Sequence, residues 1–167
     1  ALYRAGFALL EDQPEAAKKP LLELLGMGKE QPLYHEALFL IGEAEAALGD
    51  HRGAVTRYRE LLRAVPEHER AELARLHLGQ SAVQTAQFDL AVAALSEYLA
   101  APEPKGEGEA LAVAKAQRAE AFLWRGRAQA GRKDHVRAEA DFGAVLERTE
   151  SVLAAEAQFR IGTSRRA

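Results

Sequence analysis

The chain has 167 residues, 48% hydrophobic and 28% charged, with 22 Lys and Arg against 25 Asp and Glu and a formal net charge of -3. That is enough apolar material for a core, so disorder and collagen-like structure are excluded, and the balance of charge speaks against nucleic acid, whose binders carry a basic face. With Cys 0, disulfides and thiolate metal sites are excluded, and no run reaches the roughly 18 apolar residues that a membrane span needs.

Abundant Ala, Leu, Glu and Arg with only 7% aromatic residues predict an all-α chain. In chain order the apolar periodicity and its breaks predict helices over 1–11, 14–26, 33–48, 51–65, 68–86, 88–101, 107–131, 134–149 and 151–164. Pro20 falls inside the second of these, where it removes a backbone hydrogen bond, so a kink or a late helix start is expected there. The Gly26-Met27-Gly28 stretch ends that helix, and Pro66 and Pro102 end two later ones. Because Ala1 stands where a start methionine would, the chain reads as a fragment of a longer one. Cytoplasmic and bacterial periplasmic or envelope locations both stay open.

A six-residue frame beginning in Ala and ending in Gly recurs at Ala1–Gly6, Ala37–Gly42, Ala74–Gly79, Ala121–Gly126 and Ala157–Gly162. Its glycines are 36, 37, 47 and 36 residues apart, a period of about 36 with one insertion, visible as Pro102 to Gly108. Twelve residues after three of them come Ala54, Ala91 and Ala138, then Tyr58, Leu95 and Phe142, then Leu61, Tyr98 and Val145. A polar break and a ring precede each alanine: Gly49-Asp50-His51, Ala86-Gln87-Phe88 and Lys133-Asp134-His135. Each unit therefore reads as helix, tight turn, helix. Small residues stand where the two helix axes cross closely, and large ones fill the grooves a turn away.

These residues resemble the tetratricopeptide repeat, whose frame is W-x2-L-G-x2-Y, then A-x3-F, then P. The best copy runs from His35 to His68, supplying Leu38, Gly42, Ala46, Ala54, Tyr58 and Pro66. The units are about 1–32 (degraded), 33–68, 69–104, 107–149 and a half repeat at 151–167, forming one domain. The resemblance implies an α-α superhelix, a right-handed solenoid of antiparallel hairpins in which stacked neighbours cover each other's apolar faces.

No motif calls for catalysis. His35-Glu36 begins like a zinc-protease helix, but Phe39 stands where the second histidine must be. Gly28-Lys29 lacks the preceding strand and the following Ser or Thr of a phosphate loop. The serines lack a glycine-framed nucleophile turn, and Arg165-Arg166 is too short for a nucleic-acid tail. No enzyme activity, metal or cofactor is expected.

In the family the first helix of each unit lines an inner groove that selects a peptide. By register, the resemblance places there Tyr3 and Phe7, then Glu36, Phe39 and Glu43, then Leu73, Leu76, His77 and Gln80, then Glu120, Leu123, Trp124 and Arg127, and finally Glu156 and Phe159. This lining is apolar and aromatic with scattered acids, unlike the Lys, Arg and Asn clamp that holds a terminal carboxylate in chaperone adaptors of the family. The expected partner is a protein or peptide with apolar anchors and basic groups meeting Glu36 and Glu43. No nucleic acid and no membrane insertion are expected. Two alternatives stay open: a self-associating segment of a longer solenoid in a bacterial envelope or multiprotein assembly, dimerising through uncapped ends, and a regulatory domain of an enzyme.

Overall fold

The structure is a computed structural model, which describes residues 1–149 and 151–164. The Arg165-Arg166 pair and the end of the half repeat lie outside the described residues. Among those described, every element is an α-helix: α1 Leu2–Leu9, α2 Pro14–Gly26, α3 Tyr34–Ala47, α4 His51–Ala64, α5 Ala71–Gln84, α6 Phe88–Ala100, α7 Gly108–Gly131, α8 His135–Leu146 and α9 Val152–Ser164. None is long and apolar enough to cross a membrane. The chain is an all-α helical solenoid in class, and it divides into two compact units, Ala1–Thr85 and Ala86–Ala167.

In the first unit α1 packs on α2, α2 on α3, α3 on α4 and α4 on α5; in the second α6 packs on α7, α7 on α8 and α8 on α9. The turns follow one rule. Residues Gly49, Ala86 and Lys133 all have positive φ, at 80°, 56° and 64°, and each is followed by the N-cap of the next helix. At two of these caps a side chain satisfies an otherwise unpaired helix N–H, Gly53 N–H donating to Asp50 Oδ1 at 2.9 Å and Arg137 N–H to Asp134 Oδ1 at 3.2 Å. The helices after these turns start at His51, Phe88 and His135, where the repeat frame puts its ring.

The crossing residues are buried as the repeat predicts: Ala54, Ala91 and Ala138 have no exposed surface, and Tyr58, Leu95 and Phe142 fill the space a turn away. In the second unit Phe142, Val145, Ala138, Leu123 and Ala157 form one apolar cluster, against which Phe122, Leu153 and Ile161 pack. Two local expectations need adjustment. Helix α2 starts at Pro14, whose missing N–H costs nothing at a first helical position, so there is no late start, and it runs unbroken through Pro20. Helix α5 starts at Ala71 rather than 68, because His68 Nδ1 accepts the Arg70 N–H at 3.1 Å and holds the preceding turn.

Candidate peptide-binding faces

In each unit the candidate face is that of the first helices of the hairpins, α1, α3 and α5 in one and α7 and α9 in the other. In the first unit α3 brings Glu43 and α5 brings His77, whose Nδ1 lies 2.6 Å from Glu43 Oε1. The same oxygen accepts the Tyr58 hydroxyl from α4. Burial, then the nearby Glu43 carboxylate, pushes the Tyr58 phenol well above its ordinary range, so it serves only as a neutral donor. Beside them Phe39 stacks on His77 with centroids 6.0 Å apart, and the Arg70 guanidinium stands 5.6 Å from the Phe39 centroid. Further along, His68 Nε2 lies 3.4 Å from Glu36 Oε1, and the His35 ring tilts against His68 at 6.2 Å. Both carboxylates expected to await basic groups thus already face imidazoles of the same unit.

In the second unit α7 and α9 share the face. The Arg127 guanidinium lies over the Trp124 indole at 4.2 Å from its centroid, and the indole Nε1–H donates to Glu120 Oε1 at 3.4 Å. Arg127 Nε reaches Glu156 Oε1 at 3.7 Å, and Arg160 Nε reaches the same oxygen at 2.7 Å. Burial and then the second guanidinium lower the pKa of Arg127, with Glu156 offsetting part of the effect. Phe159 on α9 is 71% exposed. Two guanidiniums thus share one carboxylate between α7, with its half-buried indole, and α9, with its exposed ring.

Three side chains placed on this lining by sequence register do not reach it. Phe39 is 4% exposed, Leu76 1% and Leu123 2%. Phe39 is enclosed by Tyr58 and His77, and Leu123 belongs to the apolar cluster of the second unit. They are core, because a helix in a stack has neighbours on more than one side and the buried arc is wider than the hairpin contact alone. Glu36, Glu43, Leu73, His77, Gln80, Glu120, Trp124, Arg127 and Glu156 are half-buried. On α1, Tyr3 is half-buried and stacks at 6.1 Å on Phe7, which is 56% exposed. Sequence reasoning missed Arg160, though its place one turn after Glu156 is a recognisable helix-pair signal. It also missed the contacts that Tyr58, His68 and Arg70 make with Glu43, Glu36 and Phe39, for which no local signal exists. Among the described residues no group of three His, Asp or Glu side chains is placed to hold a metal ion.

The repeat, the turns and the small-to-large crossings together define a stack of helical hairpins of the tetratricopeptide class. Residues 36–68 match the family model of the tetratricopeptide repeat. Comparison with curated proteins finds no match. Among solved structures, the chain is similar to MamA 41-end from Desulfovibrio magneticus RS-1 (TM-score 0.75, 24% identity, 99% of this chain and 88% of that one). It is also similar to the MamA RS-1 ArsTM double mutant (TM-score 0.71, 21% identity, 99% and 93%). A more distant likeness is to the TPR2AB domain of yeast Sti1 in its pHSP90 complex (TM-score 0.51, 12% identity, 98% and 81%). At these identities the likeness is one of fold.

Proposed function

We propose that this chain is a non-catalytic scaffold that binds a peptide or protein segment on the inner faces of its hairpins, as one tetratricopeptide domain with the site centred on α7 and α9. The observation that carries this reading is that Arg127, which caps Trp124 at 4.2 Å, also reaches Glu156 on α9 at 3.7 Å, the helix that carries the exposed Phe159. Large rings bury much area at little entropic cost and dominate the energy of such contacts. The Sti1 domain, of the same fold, was solved in complex with pHSP90. In the first unit the paired Glu43 and His77 would accept a polar or basic group only by exchanging partners. The test is selection of peptides from a displayed library on the immobilised chain, followed by titration of each binder. Trp124→Ala and Phe159→Ala should each weaken binding at least tenfold while Arg4→Ala leaves it unchanged. Binders indifferent to both aromatic changes would sink the proposal.

A second reading, self-association, is favoured by Phe7 on α1, which is exposed and stacks on the half-buried Tyr3. Sedimentation of the chain over a hundredfold concentration range tests it. A monomer throughout would rule it out, and a dimer abolished by Phe7→Ser would support it.

A further inference from the structure

Helix α4 carries a second surface, turned away from its buried Ala54, Tyr58 and Leu61. Arg52, Thr56, Arg59 and Arg63 recur there at helical spacing and form a single stripe. Most arginines among the described residues hold a carboxylate: Arg125 holds Asp141 at 2.7 Å, and Arg118 holds Glu103 at 3.2 Å. Arg52, Arg59 and Arg63 hold none within 4.0 Å among the described residues. Three unpaired guanidiniums on one face are conspicuous in a chain whose formal net charge is -3.

The lower end of the stripe borders a cleft of about 470 Å³ lined by Lys29, Thr56, Arg59, Glu60 and Arg63. Its one acidic lining residue is already engaged: Glu60 Oε1 accepts the Tyr34 hydroxyl at 3.0 Å and faces Lys29 Nζ at 3.8 Å. The Thr56 hydroxyl donates to the Arg52 carbonyl at 3.0 Å, which leaves its lone pairs toward the cleft as acceptors only. The donors of the cleft are therefore the Lys29 ammonium, whose 3.8 Å approach to Glu60 leaves it N–H groups to give, and the Arg59 and Arg63 guanidiniums, which bind carboxylates in a two-pronged geometry.

We propose that this stripe is a docking site for an extended acidic segment of a protein partner, distinct from and independent of the aromatic face on α7 and α9. Spacing selects the occupant. Arg59 and Arg63 are separated by about 6 Å of helix rise, which matches alternate side chains of an extended chain at about 6.6 Å. The stripe from Arg52 to Arg63 covers about 16 Å, too long for one phosphate group and suited to several carboxylates in a row. Glu60, beside Arg59 in the cleft, weighs against the unbroken charge of a nucleic-acid backbone more than against a segment whose acidic side chains alternate with neutral ones.

The experiment is a fluorescence-anisotropy titration of the chain at low salt with a labelled peptide of alternating Glu and Ser. A labelled single-stranded oligonucleotide and inorganic phosphate serve as competing probes. The peptide should bind, and the Arg59→Ala/Arg63→Ala double variant should weaken it at least tenfold, with Arg59→Gln alone giving an intermediate loss. Arg4→Ala and Trp124→Ala should leave binding unchanged, so failure here is separable from failure of the aromatic face. The proposal is overturned if the peptide does not bind, if the double variant binds as the parent does, or if oligonucleotide or phosphate displaces the peptide as readily as unlabelled peptide does.

Discussion

The ring of Phe142 occupies the space that a side chain on Gly126 would need: a Cβ there would stand 2.5 Å from Phe142 Cε1. Gly42 stands in the same relation to Tyr58, at 2.6 Å from Cε1, and Gly6 to Leu21. The repeat's glycine is thus a packing requirement of the following helix.

Because Phe142 is 1% exposed and held in a packed cluster, it cannot yield to a new methyl group. Gly126→Ala should therefore cost about 1–3 kcal/mol through overpacking. Gly143→Ala, in α8 with nothing within 4 Å of the added carbon, should instead stabilise by about 0.5–1 kcal/mol. Urea unfolding followed by circular dichroism measures both, and equal effects would mean that the crossing is not tight.

Arg125 clasps the buried Asp141 with two hydrogen bonds, of 2.9 and 2.7 Å, and donates to Ser96 Oγ at 3.2 Å, tying α6, α7 and α8 together. Asp141→Ala leaves a half-buried guanidinium without its carboxylate and should cost about 3 kcal/mol, the usual result of breaking such a pair from one side. Ser96→Ala should cost about 1 kcal/mol. The ratio of the two in denaturant titrations is the check.

Glu45 is buried, and that burial raises its carboxyl pKa despite the opposing effect of Arg57, 3.5 Å away. A carboxyl whose pKa is higher folded than unfolded binds more protons in the fold, so stability falls as pH rises through that window. The cost is absent below the ordinary carboxyl pKa of 4.5 and complete above the raised folded value. Glu45→Gln should remove this dependence, and thermal melts of both proteins between pH 4 and 8 should show their difference changing across the window. Parallel curves would contradict the assignment.

Arg127 shields the Trp124 ring. Its change to Ala should expose the indole and move its emission to longer wavelength, with helicity unchanged. Since Trp 1 is the whole tryptophan content, the spectrum reports this site alone.

Phe39 and Phe159 occupy the same register, three residues before the repeat's glycine, yet one is 4% and the other 71% exposed. Phe39→Ala should cost about 3–5 kcal/mol, and Phe159→Ala within about 0.5 kcal/mol. Comparable losses would show that Phe159 is covered in solution.

The sequence by itself determined the repeat, its turns and its crossings, because these are local. A polar break and a ring mark the start of each second helix, at Asp50-His51, Gln87-Phe88 and Asp134-His135, and the small-to-large pairing of Gly126 with Phe142 spans only one hairpin. Register put Leu123 and Trp124 together on the lining, although adjacent residues of a helix point in different directions. What the tertiary structure decided was which of those directions stays open to water. Leu123 is core and Trp124 half-open because of α8 and α9, and Phe39 is core because Tyr58, Arg70 and His77 close over it. Charge pairing was equally hidden, since Glu43 meets His77 across 34 residues and no period relates an acid on one helix to an imidazole on another. A side chain's direction depends on the backbone within one turn of it, whereas its exposure and its partners depend on every helix packed beside it.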